Sequence, residues 1–471
     1  MDKLNKPGKP FVILSIAVIL LYLLSLLPLD IITNGYLKGY DLFSEILKSD
    51  TLNTDLSIDT ITISNAIEQD TGESLDTLPE HRKGFDNVID SNYYLATDTF
   101  INPRQGDIVI IEDYSIDGSA LKNLKNAIVN RNSLGRPVRI AMLGDSYIEG
   151  DIFSQHIREL LQDQFGGGGV GYVNMHSDFP GFRCSVKQSS KGWNVHDFVK
   201  NNVSRSYMTI SQQYSVARSA AQSTYKGTNY VRHADKWQNS KFLFLTNKQA
   251  DITLSTDNKT INKSYNDNTA NIQCIELSDT TSQFKVSVKS DSLIGIGVWL
   301  ENNSGITFDC MSTRGCSGIT LSRVNRVITN QIANYIEYDM IIIEFGMNAM
   351  SAGQKNFSGY TYTMENVIEH LRQCYPNTDI LIMGIGDRAS KKGNEISSMS
   401  NVHVMIAAQR ALAKKCNCAF WDTREAMGGE NASVKWAEEK LVNKDYIHLS
   451  YAGGRKLASE FVKSLNHAIN D

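Results

Sequence analysis

Apolar positions fall along this chain in three rhythms, and each predicts a different structure. Residues 11–29 form one uncharged run of nineteen. At about 1.5 Å of rise per residue, a helix of that length nearly spans a hydrocarbon core of roughly 30 Å, so the run predicts a transmembrane helix. From residue 136 the rhythm changes. RPVRIAMLGDS is an apolar run closing in a turn, and IFSQHIRELLQDQF continues from it with Ile, Leu and Phe at helical spacing. The alternation returns downstream through MIIIEFG, TMENVIEHLRQCY, DILIMGI, VHVMIAAQRALAKKC, CAFWD and GRKLASEFVKSLNHAI. Strands apolar throughout, alternating with amphipathic helices, predict an α/β fold with a parallel sheet covered on both faces.

The third rhythm occupies residues 205–310, where KFLFLTN, ADITLST, QFKVSVKSD and IGIGVWLEN are short runs separated by Asn, Asp, Ser and Gly. They predict a β-sandwich inserted into the α/β domain, its ends close together at a surface loop. Residues 35–135 are polar and only patchily periodic, and read as a stalk or lead-in. The expected division is therefore 1–34 for the cytoplasmic tip and anchor, 35–135 for the lead-in, 136–204 with 311–471 for the α/β domain, and 205–310 for the insertion. The glycine run 166–169 reads as a flexible turn after the first helix of that domain, since no Lys comes after it to complete a phosphate loop.

Charge adds direction. Lys3, Lys6 and Lys9 precede the apolar run and Asp30 comes after it, which places the N-terminus in the cytoplasm and the bulk of the chain outside. A cleaved signal peptide is the rival reading, but the run is longer than a usual signal core and no small-x-small site comes after it. With a net charge of -4 and a pI near 6.2, no basic field draws the chain to nucleic acid. Seven cysteines are an odd number and imply no disulfide framework. Cys374, Cys416 and Cys418 have no second pair or His-x-His spacing to support a metal site, so they read as buried small hydrophobes.

Candidate chemistry lies at the strand ends. GDSYIEGD puts Ser146 where a strand meets a helix, at the sheet edge where such folds place their sites. A serine hydroxyl needs a base to take its proton, and DYIHLS supplies His448 with Asp445 three residues earlier to fix the imidazole tautomer. RGCSGIT and FGMNAMS offer oxyanion donors, the backbone N–H of Gly318 and the side-chain amide of Asn348. Taken singly, each has an ordinary reading as a turn, a cap or a loop. Their joint order along the chain is what points to chemistry.

Those four blocks, GDS, the Gly of RGCSGIT, GMN and D-x-x-H, resemble the SGNH (GDSL-like) hydrolase superfamily over about 136–471. The resemblance implies an SGNH-type fold and a serine esterase needing no cofactor, with Ser146 as nucleophile and Asp445 and His448 completing the triad. By the same resemblance Gly318 and Asn348 join the Ser146 N–H in the oxyanion hole. Two departures stand out: Ala349 occupies the place of the usual Asp after Asn348, which leaves that amide without its brace, and Gly315 is an alternative to Gly318. GDSYIEGD, FGGGGVGYV and the insertion narrow the likeness to periplasmic or surface esterases that de-O-acetylate peptidoglycan or other polysaccharides, the insertion resembling a carbohydrate-binding module. The expected partners are then an acylated glycan and, through the N-terminal helix, the membrane. Trp237, Trp299, Tyr225 and Tyr230 are candidates for stacking on sugar, against the plainer reading that they are core. Acyl transfer by the same acyl-enzyme and a non-catalytic wall-binding protein are the alternatives.

Overall fold

The structure, a computed structural model, describes residues 103–470 apart from 199–202, 267–268 and 394. The run at 11–29 lies outside the described residues, and among the described residues no helix is long and apolar enough to cross a membrane. In chain order the strands of the two large sheets begin with β1 (Glu112–Asp113), β2 (Val138–Gly144), β3 (Gly171–Val173), β4 (Val186–Asp197) and β5 (Gln213–Gly227). Next come β6 (Trp237–Thr246), β7 (Ala250–Ser255), β8 (Thr260–Tyr265), β9 (Thr269–Thr281) and β10 (Gln283–Lys289). The last are β11 (Ile294–Glu301), β12 (Ile306–Ser312), β13 (Met340–Glu344), β14 (Asp379–Met383) and β15 (Ala419–Trp421). The main helices are α1 (Lys122–Val129), α2 (Ser154–Phe165), α3 (Arg326–Ala333), α4 (Ser358–Cys374), α5 (Val402–Lys415) and α6 (Tyr451–Asn470).

The first sheet runs β12-β2-β13-β14-β15, all parallel, with β1 antiparallel at the edge. Every residue of β2, β13 and β14 is buried, as continuous apolar runs require when helices cover both faces. α2 packs with α6 and β12, while α4 packs with α3 and α5. Register, more than composition, positions the loops. Gly144 pairs with Ser312 on one side and with Glu344 on the other, so three strands end level and release their loops at one edge.

The second sheet has nine strands in the order β8-β7-β10-β5-β11-β6-β9, with β3 added on β11 and β4 on β5. Phe244 of β6 and Tyr265 of β8 have four strands between them in that order, yet their ring centroids lie 5.2 Å from each other. The sheet therefore curls over itself and encloses a core of its own, with Phe244, Leu254, Phe284 and Val298 inside. Its outer face is not free. On β6, Phe242 and Phe244 enter that core while Leu243 and Leu245 enter the core of the α/β body, which explains why KFLFLT is apolar without alternation. On β11 a bulge between Gly295 and Gly297 flips the parity: Ile294 and Ile296 face the α/β body before it, Val298 and Leu300 the inner core after it.

Polar groups join the two sheets as well. Buried Arg139 of β2 donates from Nε to Glu301 of β11 at 3.0 Å, and Lys241 of β6 donates to the same carboxylate at 2.8 Å. The Glu301 carboxyl would be raised by burial, but these two cations outweigh that and hold it down at about 2. Asp309 of β12 is equally enclosed, accepting from Tyr172 N–H, Trp299 Nε1 and Tyr338 Oη.

Several boundaries differ from the expected ones. Residues 103–135, read as part of a lead-in, belong to the α/β body: β1 edges the parallel sheet, Leu124 and Ile128 of α1 are core, and buried Glu112 pairs with Arg410. The second sheet starts at Gly171 rather than 205, because β4 (VKQSSKGWNVHD) is too polar to show an apolar alternation. It ends at Glu301, and β12 already belongs to the parallel sheet. The glycine run is not a flexible turn. A Cβ at Gly167 would meet the Ile306 carbonyl oxygen at 2.5 Å and one at Gly169 that of Leu300 at 2.2 Å, so these glycines let the backbone cross closely from one sheet to the other. All seven cysteines are free thiols. Burial pushes the thiols of Cys374, Cys416 and Cys418 up, to about 11, 11 and 12.

Candidate active site

The turn after β2 carries Ser146. Gly144 is obligatory there, since a Cβ would lie 2.8 Å from both the carbonyl and a carboxylate oxygen of Glu344. Asp145 turns inward and accepts the Tyr147 N–H at 2.8 Å. Ser146 is left part-buried at the edge of a cavity of about 340 Å³, which His448, Phe182, Arg314 and Tyr451 also line.

His448 arrives from the segment before α6. Tyr446 adopts a left-handed backbone (φ 59°), doubling the chain back so that Asp445 Oδ1 accepts the N–H groups of Ile447 and His448 at 3.0 and 3.1 Å. Asp445 Oδ2 lies 2.8 Å from His448 Nδ1, and His448 Nε2 lies 2.9 Å from Ser146 Oγ. Burial would raise the Asp445 carboxyl, but the hydrogen bonds from His448 and the two backbone N–H groups outweigh it and hold the group below its ordinary range. An ionised Asp445 keeps the proton on Nδ1 and leaves Nε2 as an acceptor facing the serine hydroxyl. Ser146 and His448, 302 positions apart, are thus in hydrogen-bonding reach.

The two expected oxyanion donors are committed elsewhere in this arrangement. Asn348 Nδ2 donates to Asp145 Oδ2 at 2.9 Å and to the Cys316 carbonyl at 3.1 Å, which uses both amide protons. The Gly318 N–H donates to Cys316 Sγ at 3.3 Å, and Gly318 is buried behind the Phe345 ring. Gly315 (φ 70°) faces open space beside Arg314, whose guanidinium pairs with Glu149 at 2.6 Å on the cavity wall. The brace that Ala349 cannot supply to Asn348 comes from Asp145, the middle residue of the GDS block.

Sequence reasoning missed Asp145 in that role, although GDS named it, and missed Phe182, Arg314 and Tyr451, which carry no signal until folding brings them to Ser146. Of the four aromatics proposed for sugar, Trp237, Trp299 and Tyr225 are core and Tyr230 is exposed. Among the described residues no group of three or more His, Cys, Asp or Glu is gathered that could hold a metal ion.

Residues 296–456 match the profile of the GDSL-like Lipase/Acylhydrolase family, so the chain carries a hydrolase domain of that family. The match includes Gly318, Asn348, Asp445 and His448 and begins within β11, leaving Ser146 to be joined to it by the fold. A solved structure described as a peptidoglycan O-acetylesterase superposes with a TM-score of 0.63 at 22% identity, over 76% of this chain and 99% of that one; the two share a fold. A family two carbohydrate esterase from Cellvibrio japonicus gives a TM-score of 0.26 at 9% identity over 60% of this chain and 99% of its own, too loose to carry an argument. No curated protein sequence matches the chain significantly. Profile and fold together define the class as an esterase of the SGNH, GDSL-like type.

Proposed function

We propose that this esterase removes O-acetyl or other small acyl groups from an extracytoplasmic polysaccharide such as peptidoglycan, through an acyl-enzyme on Ser146. The observation that carries the reading is the continuous hydrogen-bonded path from Ser146 through His448 to Asp445, with distances of 2.9 and 2.8 Å. Ser146 Oγ attacks the ester carbonyl as its proton passes to His448 Nε2, and the imidazolium returns that proton to the departing sugar oxygen. Water, deprotonated by the same imidazole, then attacks the acyl-enzyme and releases the acid. The Ser146 N–H is one oxyanion donor, and Asn348 becomes another by turning an amide proton from the Cys316 carbonyl to the developing charge. Gly315, in the loop that carries Arg314 into the cavity, suits the third donor better than Gly318.

The polysaccharide part of the reading draws on the shared fold with a peptidoglycan O-acetylesterase. Its placement outside the cytoplasm, anchored through residues 11–29, draws on the lysines that flank that run. The test is acetate release from O-acetylated peptidoglycan and from a neutral acetylated glycan, by the wild type and by Ser146→Ala. The reading holds if the wild type releases acetate and the variant does not. It fails if both release acetate at the same rate, or if the wild type acts on neither.

A further inference from the structure

The Ser146 cavity is the middle of a longer depression. Glu149, Phe182 and Arg314 on one of its walls also line a cavity of about 390 Å³, while Tyr451 also lines one of about 550 Å³. The residues that divide the three spaces are tied together: Tyr451 Oη donates to the Phe182 carbonyl at 2.6 Å, and the Phe182 ring rests on Gly150, where a Cβ would meet it at 2.7 Å. A small ester needs only the central space. The flanking two are in excess of that need, and they open the site on both sides.

Aromatic rings stand in water along this path. Phe179 is 70% exposed, Phe182 40% and Tyr230 44%; the first two line the 390 Å³ arm and the third the 550 Å³ arm, edge-on to Tyr451 at 5.7 Å. An exposed ring beside a polar cavity is a ready face for the C–H side of a sugar. The arms differ in charge. In the first, each cation of the lining has a carboxylate partner, Arg183 with Asp151, Arg314 with Glu149 and His176 with Asp178, and Asp197 joins the amides Asn174, Gln188 and Gln213, a lining that suits the hydroxyls of a neutral sugar and repels an acidic one. In the second, Lys456 contacts Glu439 at 3.2 Å and Glu460 is paired with Lys463, but Arg455 is exposed with no acceptor in reach among the described residues.

We propose that the groove holds an internal stretch of a glycan chain across Ser146, with a neutral sugar on Phe179 and Phe182 and a carboxylate-bearing sugar against Arg455, Tyr230 and Tyr451. The proposal rests on the polysaccharide esterase reading and names the chemistry of its substrate. A guanidinium with no internal partner matches a planar carboxylate, and stacking beside it orients the ring that bears the acid.

Binding separates this proposal from the catalytic one. The full chain with Ser146→Ala is titrated calorimetrically with di-, tetra- and hexasaccharides of N-acetylglucosamine, and with two carboxylate-bearing series of equal length, a uronate oligomer and an amino-sugar oligomer bearing lactyl ethers. Affinity is expected to rise from di- to hexasaccharide, and at least one acidic series to exceed the neutral one by about tenfold, the weight of one charge-assisted hydrogen bond. Arg455→Gln should erase that preference, and Phe179→Ala should flatten the rise with length. Both side chains are exposed, so circular dichroism should show the variants folded. Equal affinity for all lengths, or an acidic preference that survives Arg455→Gln, overturns the proposal. Turnover of an aryl acetate by the wild type reports separately on the esterase. Its absence beside intact length-dependent binding would sink the catalytic reading and leave the groove standing.

Discussion

Compare how the two sheets bury their strands. In the α/β body, β2, β13 and β14 are buried at every residue, because helices lie on both faces. In the antiparallel sheet, β7 and β10 alternate, one side in the curled core and the other toward water. β6 and β11 belong to the second sheet by hydrogen bonding but to the first by burial, since their outer faces complete the α/β core. The contrast teaches that an inserted sheet need not be a detachable module. Here its outer face completes the core of its host, and both contribute to the groove: the host brings Ser146 and His448, the sheet brings Gln188 and Gln213, and the loop between β5 and β6 brings Tyr230.

The largest expected effect would break the claim that the chemistry belongs to the α/β body. Ser146→Ala should lower kcat on an aryl acetate about 10⁴-fold or more, with no loss of thermal stability because the hydroxyl is in neither core. A variant that keeps its activity would move the nucleophile elsewhere. Next, Asp445→Asn should cost about 10⁴-fold in kcat by favouring the wrong imidazole tautomer, read at constant substrate across a pH series. The sign of its acid response comes from the depressed carboxyl. The stabilisation that ionised Asp445 gives the fold is present above the ordinary carboxylate range and is lost as pH falls through its lower folded value, so the Asp445→Asn variant should denature less steeply with acid there.

Glu301→Gln tests whether the sheets are one unit. It removes the charge that buried Arg139 requires, and should cost about 3 kcal/mol in denaturant unfolding while leaving one cooperative transition. Two transitions, with the antiparallel sheet melting apart from the rest, would contradict the shared core. The smallest effect sharpens the comparison within the body. Burial raises the Asp379 carboxyl at the start of β14 to about 6, against the hydrogen bond from the Leu124 N–H at 2.8 Å. The folded protein then holds a proton that the unfolded chain gives up sooner, so stability falls as pH rises from about 4 to 6. Asp379→Asn should gain about 1 kcal/mol at pH 7 and nothing below about pH 4, measured by melting temperature.

Much of the α/β body was legible because continuous apolar strands and helical spacing are local patterns. GDS, GMN and D-x-x-H could be read for the same reason, each being a short string at a strand or helix end. What escaped was either too polar, like β4, or too short, like β1. Gly318 looked like the exposed donor, yet packing buried it behind Phe345 and left Gly315 outward.

By itself the sequence determined the apolar run at 11–29, the rhythm of strands and helices, and which side chains are able to do chemistry. Only the tertiary structure decided that β12, β2 and β13 end level, that Asp145 braces Asn348, and that Phe182 and Tyr451 flank Ser146. Periodicity is set by neighbours a few residues away, so it can be read along the chain. A site is set by the register of strands and the curl of a sheet, which depend on contacts between residues hundreds of positions apart.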